Sequence, residues 1–322
     1  MDKVVLCSIS TRGRYHTTLP LAIQGVLSQT RPVDKLVIFD DNDEPQDVRK
    51  DPTYLGLLTM LDRKGIAWEW VFAAKKGQHH NHQMANLMGY QWVWRVDDDA
   101  IPEPHTLEIL LSYTDGDVGA VGGAILIPGK QFDTSKSTGK IENIDHETNL
   151  QWDELKKARE IDHLHCSFLY RAGVVDYNLG LSRVAHREET LFTYGLKKKG
   201  YKILAVPNAV TWHLKSEGGI RMETNPELYA HDEQIFRNFL KHKDDTIVVL
   251  NGGMGDHIVF THVLPDVKNP VIFGCYPEII PGRSIAEAQQ LLGDIEPYSI
   301  YKKMHQWGWK DSLENAYRKM YL

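Results

Sequence analysis

Cysteine is scarce. The 322 residues contain three, Cys7, Cys166 and Cys275, widely spaced and without a CxxC pair. That excludes a disulfide scaffold and argues against a zinc site built on paired thiolates. Cys7 and Cys166 lie in apolar runs and read as small core residues. The odd count suits a reducing compartment. Long hydrophobic runs are missing too, since no stretch approaches the ~20 apolar residues of a membrane span. Met1-Asp2-Lys3 leads directly into a strand-like segment without an apolar leader, so a soluble, cytoplasmic protein is expected. Nor does one sign of charge dominate. Lys and Arg total 37 against 43 Asp and Glu, a net charge of −6, which is not the default of a nucleic-acid or membrane-surface binder. The short basic runs Lys75-Lys76 and Lys197-Lys198-Lys199 read as solvated faces. No internal repeat is visible.

What the sequence does contain is alternation. Apolar runs at Lys3–Ser10, Lys35–Phe39, Ala67–Phe72 and Gln91–Val96 read as buried strands. Helical spacing falls between them at Leu19–Ser28, Leu55–Leu61 and His82–Tyr90. Such alternation predicts βαβ units in a largely parallel sheet. Further strands are expected at Asp117–Pro128 and His163–Tyr170, a strand pair around Pro207 over Tyr201–His213, and a helix over Arg187–Lys199. Residues 129–160 read as a long mobile loop with one helix near Trp152–Arg159, the kind of segment that serves as a lid or binding loop. The chain is expected to divide into a domain over 1–215, a helical linker over 216–243 and a small C-terminal α/β unit of accessory role over 244–322. In that last unit a strand over Thr246–Leu250 precedes a Gly-rich turn, with a helix from Ile258 and two more helices after Pro297.

Ligands of open α/β sheets bind beyond the carboxyl ends of the strands. Three polar clusters fall there: Thr11-Arg12, Asp40-Asp41 and Asp97-Asp98-Asp99. In an extended segment alternate side chains share a face, so Asp97 and Asp99 form a working pair and Asp98 turns away. Carboxylates delivered by a buried strand suit Mg2+ or Mn2+, which as a Lewis acid neutralises a diphosphate leaving group. Glu188-Glu189 at a helix start are candidates for a general base, although acidic residues there also complement the helix dipole. His213, closing a strand, is a candidate metal ligand or a satisfied structural histidine. The tract Gln78-His79-His80-Asn81-His82 has no metal-ligand spacing and reads as loop polarity.

In this order the features resemble family 2 glycosyltransferases of the GT-A fold over about residues 3–213. The resemblance is carried by Ser10-Thr11-Arg12, Ser28-Gln29-Thr30-Arg31-Pro32, KLVIFDD at 35–41, Val96-Asp97-Asp98-Asp99 as a DxD motif, CSFLYRAGVV at 166–175, Arg187-Glu188-Glu189 with Gly195 and Gly200-Tyr201, and Pro207 with Trp212-His213. It implies a mixed, mainly parallel sheet flanked by helices and a nucleoside-diphosphate sugar donor, most often a uridine one. Thr11, Arg12, Arg14, Asp40, Asp41 and Asn86, with Asp97 and Asp98, would hold the nucleotide sugar. Asp99, with Asp97 and His213, would hold the divalent cation, and Glu189 would be the base with Glu188 as runner-up. Two departures stand out: the helix before the motif reads Asn81-His82-Gln83-Met84-Ala85-Asn86 instead of carrying an Arg-Asn pair, and the acidic pair is Glu-Glu instead of Glu-Asp.

NGGMGDHI at 251–258 faintly resembles the first turn of heptosyltransferase-type GT-B proteins, but too little chain follows for two GT-B domains. The acceptor implied is a glycan or a hydroxylated DNA base, with basic residues at 130–140 and 197–202 able to line a groove. The rival readings are a glycan-binding or scaffolding protein with an inactive GT-A domain and a sugar-phosphate nucleotidyltransferase. STRGR at 10–14 is a poor match to the Gly-rich signature of the latter.

Overall fold

Four apolar runs become neighbouring strands in the computed structural model, which describes residues 3–129, 138–144, 155–215, 218–219 and 222–322. They are β1 (Val5–Thr11), β2 (Lys35–Asp40), β3 (Ala67–Phe72) and β4 (Trp92–Val96). Every residue of β1 and β4 is buried, as central strands covered on both faces require. The helices between them are α1 (Leu19–Leu27), α2 (Pro52–Arg63) and α3 (Gln78–Asn86). A proline in the first turn of α1 and of α2 fits because the N–H it lacks has no partner within the helix there.

The rest of the sheet comes from β5 (Ala100–Pro102), β6 (Val118–Leu126), β7 (Arg159–Ile161), β8 (Ser167–Arg171) and β9 (Lys202–His213), with α4 (Thr106–Ser112) and α5 (Glu188–Lys198). Among the described residues the sheet has nine strands in the order β3-β2-β1-β4-β8-β6-β9-β5, with β7 also on β9. The run β3-β2-β1-β4 is parallel, as is β6 with β9, while β8, β5 and β7 pair antiparallel. Successive strands step from β1 to one side as β2 and β3, and β4 then returns to the other side of β1. Open α/β sheets place their ligand crevice at such a reversal, beyond the carboxyl ends of the strands, here those of β1 and β4.

Several local expectations change. The helix expected over His82–Tyr90 starts at Gln78, so the His-rich tract is its first turn and not loop. Gly77, at φ 115°, makes the turn into it, and His79, Asn81 and His82 are buried. The expected strand pair around Pro207 is one strand, β9. It stays continuous across the proline because its ladder with β6 shifts register between Gly122 and Ala124, where Asn208 takes φ 65°. A Cβ on Gly123 would lie 1.8 Å from the Ala209 carbonyl oxygen, so only glycine lets the two backbones approach this closely there. Of the helix expected near Trp152–Arg159, residues 152–154 lie outside the described residues, 155–158 are not helical, and Arg159 opens β7. Most of the expected loop at 129–160 and the basic residues at 130–137 also lie outside them.

The chain forms two units: Met1–Tyr177 with Arg183–Pro226, and Asn178–Ser182 with Glu227–Leu322. Residues 227–243, expected as linker, thus group with the second unit. There α6 (Pro226–Lys241) buries Ile235 and Phe236, and Asp232 accepts from the backbone N–H of Ser182 at 2.6 Å. The second unit pairs β10 (Thr246–Leu250) in parallel with β11 (Pro270–Gly274). Its helices are α7 (Met254–Thr261), α8 (Ile285–Leu292), α9 (Ile300–Gln306) and α10 (Leu313–Tyr321). α7 begins four residues before the expected Ile258, directly on the Gly-rich turn. Val248, Leu250, Phe260, Val263, Ile300 and Tyr317 form one core of this unit, and Val249, Phe273 and Ala288 a second. Among the described residues no helix is long and apolar enough to cross a membrane.

Candidate active site at the carboxyl ends of the strands

Ladder register assembles the site. β4 and β8 pair antiparallel with Val96 opposite Ser167, so the next residues on each, Asp97 and Cys166, come together. The Asp97 N–H donates to the Cys166 carbonyl at 3.0 Å. β5 pairs with β9 so that Ala100 faces His213, which brings Asp99 beside that histidine. The Leu214 N–H donates to the Asp99 carbonyl at 2.9 Å, and His213 Nε2 lies 3.3 Å from the Asp99 carboxylate. Three strand ends therefore deliver Asp97, Cys166 and His213 to one place, with ligand atoms within 4.8 Å of one another.

These donors fit a divalent cation. Asp97 keeps about a fifth of its side chain exposed, and Nδ1 of His213 is buried without a hydrogen-bond partner. Burial alone would lower the His213 pKa, but the Asp99 carboxylate outweighs it and the ring is held above its ordinary value. Burial together with Asp97, Asp99 and Glu189 pushes the Cys166 thiol well up. The expected ligands Asp97, Asp99 and His213 are thus brought together. Cys166, read from sequence as a small core residue, stands among them. Its left-handed backbone, φ 63°, marks a sharply placed residue, which an apolar run does not announce.

Asp98 is a correction. It does not turn away but faces β1, where Thr11 Oγ1 donates to it at 2.8 Å, the Arg12 N–H donates at 3.1 Å, and Arg14 pairs with it. Burial pushes its carboxyl up to about 6 despite the Arg14 charge. The other branch of the Arg14 guanidinium lies 3.1 Å from Asp99, so one cation spans two of the three aspartates.

Asp40 and Asp41 divide. Asp40 is fully buried, and its carboxylate accepts from Tyr15, from Trp70 and from the Asn42 backbone and side chain. It therefore shapes the loop after β2 and does not face the crevice. Asp41 accepts from the Gly77 N–H at 2.8 Å and from the Asn81 amide at 3.3 Å, and the Arg12 guanidinium lies 3.6 Å away. Burial raises its pKa against those partners. Arg12 also clamps the Asp41 carbonyl and Asp43. Asn86 is a second correction: it holds the Val175 carbonyl at 2.8 Å and the Gly173 N–H at 2.8 Å, bracing the turn after β8. The α3 residue that reaches the β1 and β2 ends is Asn81, which also bonds Ser10. The two are five residues apart, about 1.4 turns of helix, so they lie on different faces of α3.

The acidic pair surrounds Arg95, a fully buried residue of β4 that sequence reading passed over. Its guanidinium meets Asp97 at 3.0 Å, Glu189 at 3.2 Å and Glu188. Glu188 is wholly buried, and burial drives its carboxyl well above the usual range against the pull of Arg95. Glu189 keeps 18% of its side chain exposed and accepts from the Cys166 N–H at 3.4 Å. Burial would raise its pKa too, but Arg95 and His165 outweigh it and the carboxyl sits below its ordinary value. Both glutamates stand in the first turn of α5, directly after Arg187, which takes φ 65° at the helix start.

No family model matches the chain. The fold is that of GT-A glycosyltransferases. A crystal structure of GalNAc-T7 with UDP, GalNAc and Mn2+ superposes with TM-score 0.51 and 12% identity, over 74% of this chain and 51% of that one. By sequence, 116 residues are 32% identical to the galactofuranosyltransferase GlfT1 of Mycolicibacterium smegmatis. That match covers 34% of this chain and 34% of the relative, so the chain spans about a third of the length of the curated relative it matches.

Proposed function

We propose that the chain is a metal-dependent glycosyltransferase that moves a sugar from a nucleoside-diphosphate sugar, a UDP-sugar by choice, to an acceptor hydroxyl with inversion. The observation that carries this reading is the convergence of Asp97 and Asp99 from the β4–β5 turn, His213 from β9 and Glu189 from α5 at the carboxyl end of β4. A similarity to a galactofuranosyltransferase and a fold shared with a UDP- and Mn2+-bound protein support it.

In this reading Asp97, Asp99 and His213 hold Mn2+ or Mg2+, which supplies Lewis-acid neutralisation of the diphosphate leaving group. Arg14 adds a positive charge at the same edge. Asp41, Arg12 and Asn81 line the nucleoside side, and Thr11 fixes Asp98 beneath. Glu189 is the base: it is the member of the pair with exposed surface, and Arg95 keeps it ionised at neutral pH. Its carboxylate takes the acceptor proton as the new bond forms. Glu188 serves as the buried counter-charge to Arg95. The acceptor is a glycan or a hydroxylated DNA base, and the second unit has an accessory role, with its Gly-rich turn at 251–256 the part that resembles GT-B proteins.

The test is turnover of a panel of UDP-sugars with and without Mn2+, in the native chain and in Glu189→Gln. General-base loss should lower kcat by about 10²–10⁴-fold with the circular dichroism spectrum unchanged. Equal turnover in the variant would remove Glu189 from the role.

A further inference from the structure

The metal-holding reading leaves one member of the cluster without a role. Cys166 lies among the candidate ligands, yet Mg2+ takes oxygen ligands and demands near-ideal octahedral geometry. Sulfur selects softer or borderline cations. The thiol is not there as packing alone. Its backbone is left-handed at φ 63°, its carbonyl accepts from Asp97, and its N–H donates to Glu189. Both neighbours of the crevice are thus tied to this one residue, which fixes where its sulfur sits. The sulfur, a carboxylate oxygen of Asp97 and a ring nitrogen of His213 lie within 4.8 Å of one another, a spread that one ion can bridge with small rotations. The three differ in kind, one oxygen, one nitrogen and one sulfur, and this is a donor set for Co2+ or Zn2+ more than for Mg2+.

We propose that Cys166 is a metal ligand, and that its sulfur, with Asp97 and His213, tunes this site toward borderline divalent cations and away from Mg2+. The proposal rests on the reading of the crevice as a metal site. Coordination replaces the S–H bond by a metal–sulfur bond, and the proton leaves to solvent. Asp99, which pairs with Arg14 and His213, lies at the rim of the same set.

Cobalt tests this without any sugar donor. Co2+ titrated into the full-length protein should produce the near-ultraviolet absorption of thiolate-to-cobalt charge transfer. The band should vanish in Cys166→Ser and persist in Cys275→Ser, which controls for the exposed cysteine. Cys166→Ser should also weaken Co2+ binding by at least about tenfold, with a smaller effect on Mg2+ binding. Should Cys166→Ser fail to fold, His213→Ala provides the second arm: it keeps the sulfur but removes a co-ligand, and the band should weaken with it. Co2+ binding without the band, or a band unchanged in His213→Ala, overturns the assignment of Cys166. If UDP binding remains Mn2+-dependent in that case, the transferase reading stands alone. Absence of any divalent-metal binding overturns both.

Discussion

Asp98 shows how much rests on single side chains. Burial lifts its carboxyl to about 6 in the folded protein, above the ordinary 3.8. Between those values the folded state holds a proton that the unfolded state has released. Stability from this group is therefore present at low pH and is lost as pH rises from about 4 to about 6, with a slope of at most ~1.4 kcal/mol per pH unit. Denaturant unfolding in metal-free buffer should show Asp98→Asn lacking that component of the slope. A variant whose pH profile parallels the native one would show that Asp98 titrates normally. At this scale the sequence was legible where chemistry is carried by residue type: Asp97, Asp99, Glu189 and His213 do converge. It was not legible where direction decides. Asp98 was expected to turn away because strand alternation was extended past the end of β4 through Asp99, where the chain is already turning. Arg95 was passed over within the apolar run Gln91–Val96, because its acidic partners come from the β4–β5 turn and the start of α5, which no local pattern links to it.

At the scale of elements, the parallel half of the sheet was readable because buried parallel strands are continuous apolar runs. The antiparallel half was less so. β5 and β7 have three residues each, below what periodicity can register. The pairing of β8 with β4 is a long-range choice that no local pattern encodes, and it is what places Cys166 beside Asp97. β9 was expected in two pieces because a proline removes a ladder donor; the strand absorbs it in an irregularity opposite Gly123. Gly123→Ala is the sharpest test of that joint. The added methyl would meet the Ala209 carbonyl oxygen at 1.8 Å, and both groups are backbone-fixed, so neither gives way cheaply. A loss of roughly 1–3 kcal/mol or more is expected by chemical denaturation, with lowered activity because β9 carries His213. A neutral substitution would mean that the β6–β9 approach is looser than described.

The whole molecule contains two units with separate cores. Phe260 is fully buried in the second, edge-to-face with Tyr317 at 5.1 Å between ring centroids. Phe260→Ala should cost about 3–5 kcal/mol. By hydrogen exchange the loss of protection should concentrate in 227–322 and spare β1 and β4. Uniform loss across the chain would mean that the two units unfold as one.

The account as a whole rests on the crevice of the first unit holding a nucleoside diphosphate through a metal. Calorimetric titration of UDP into the full chain, with Mn2+ and with chelator, tests that most directly. The account predicts binding at least about tenfold tighter with Mn2+, corresponding to roughly 1.4 kcal/mol, and loss of that difference in Asp99→Ala with the fold intact. Binding of equal strength in chelator, or no UDP binding in either condition, would contradict it.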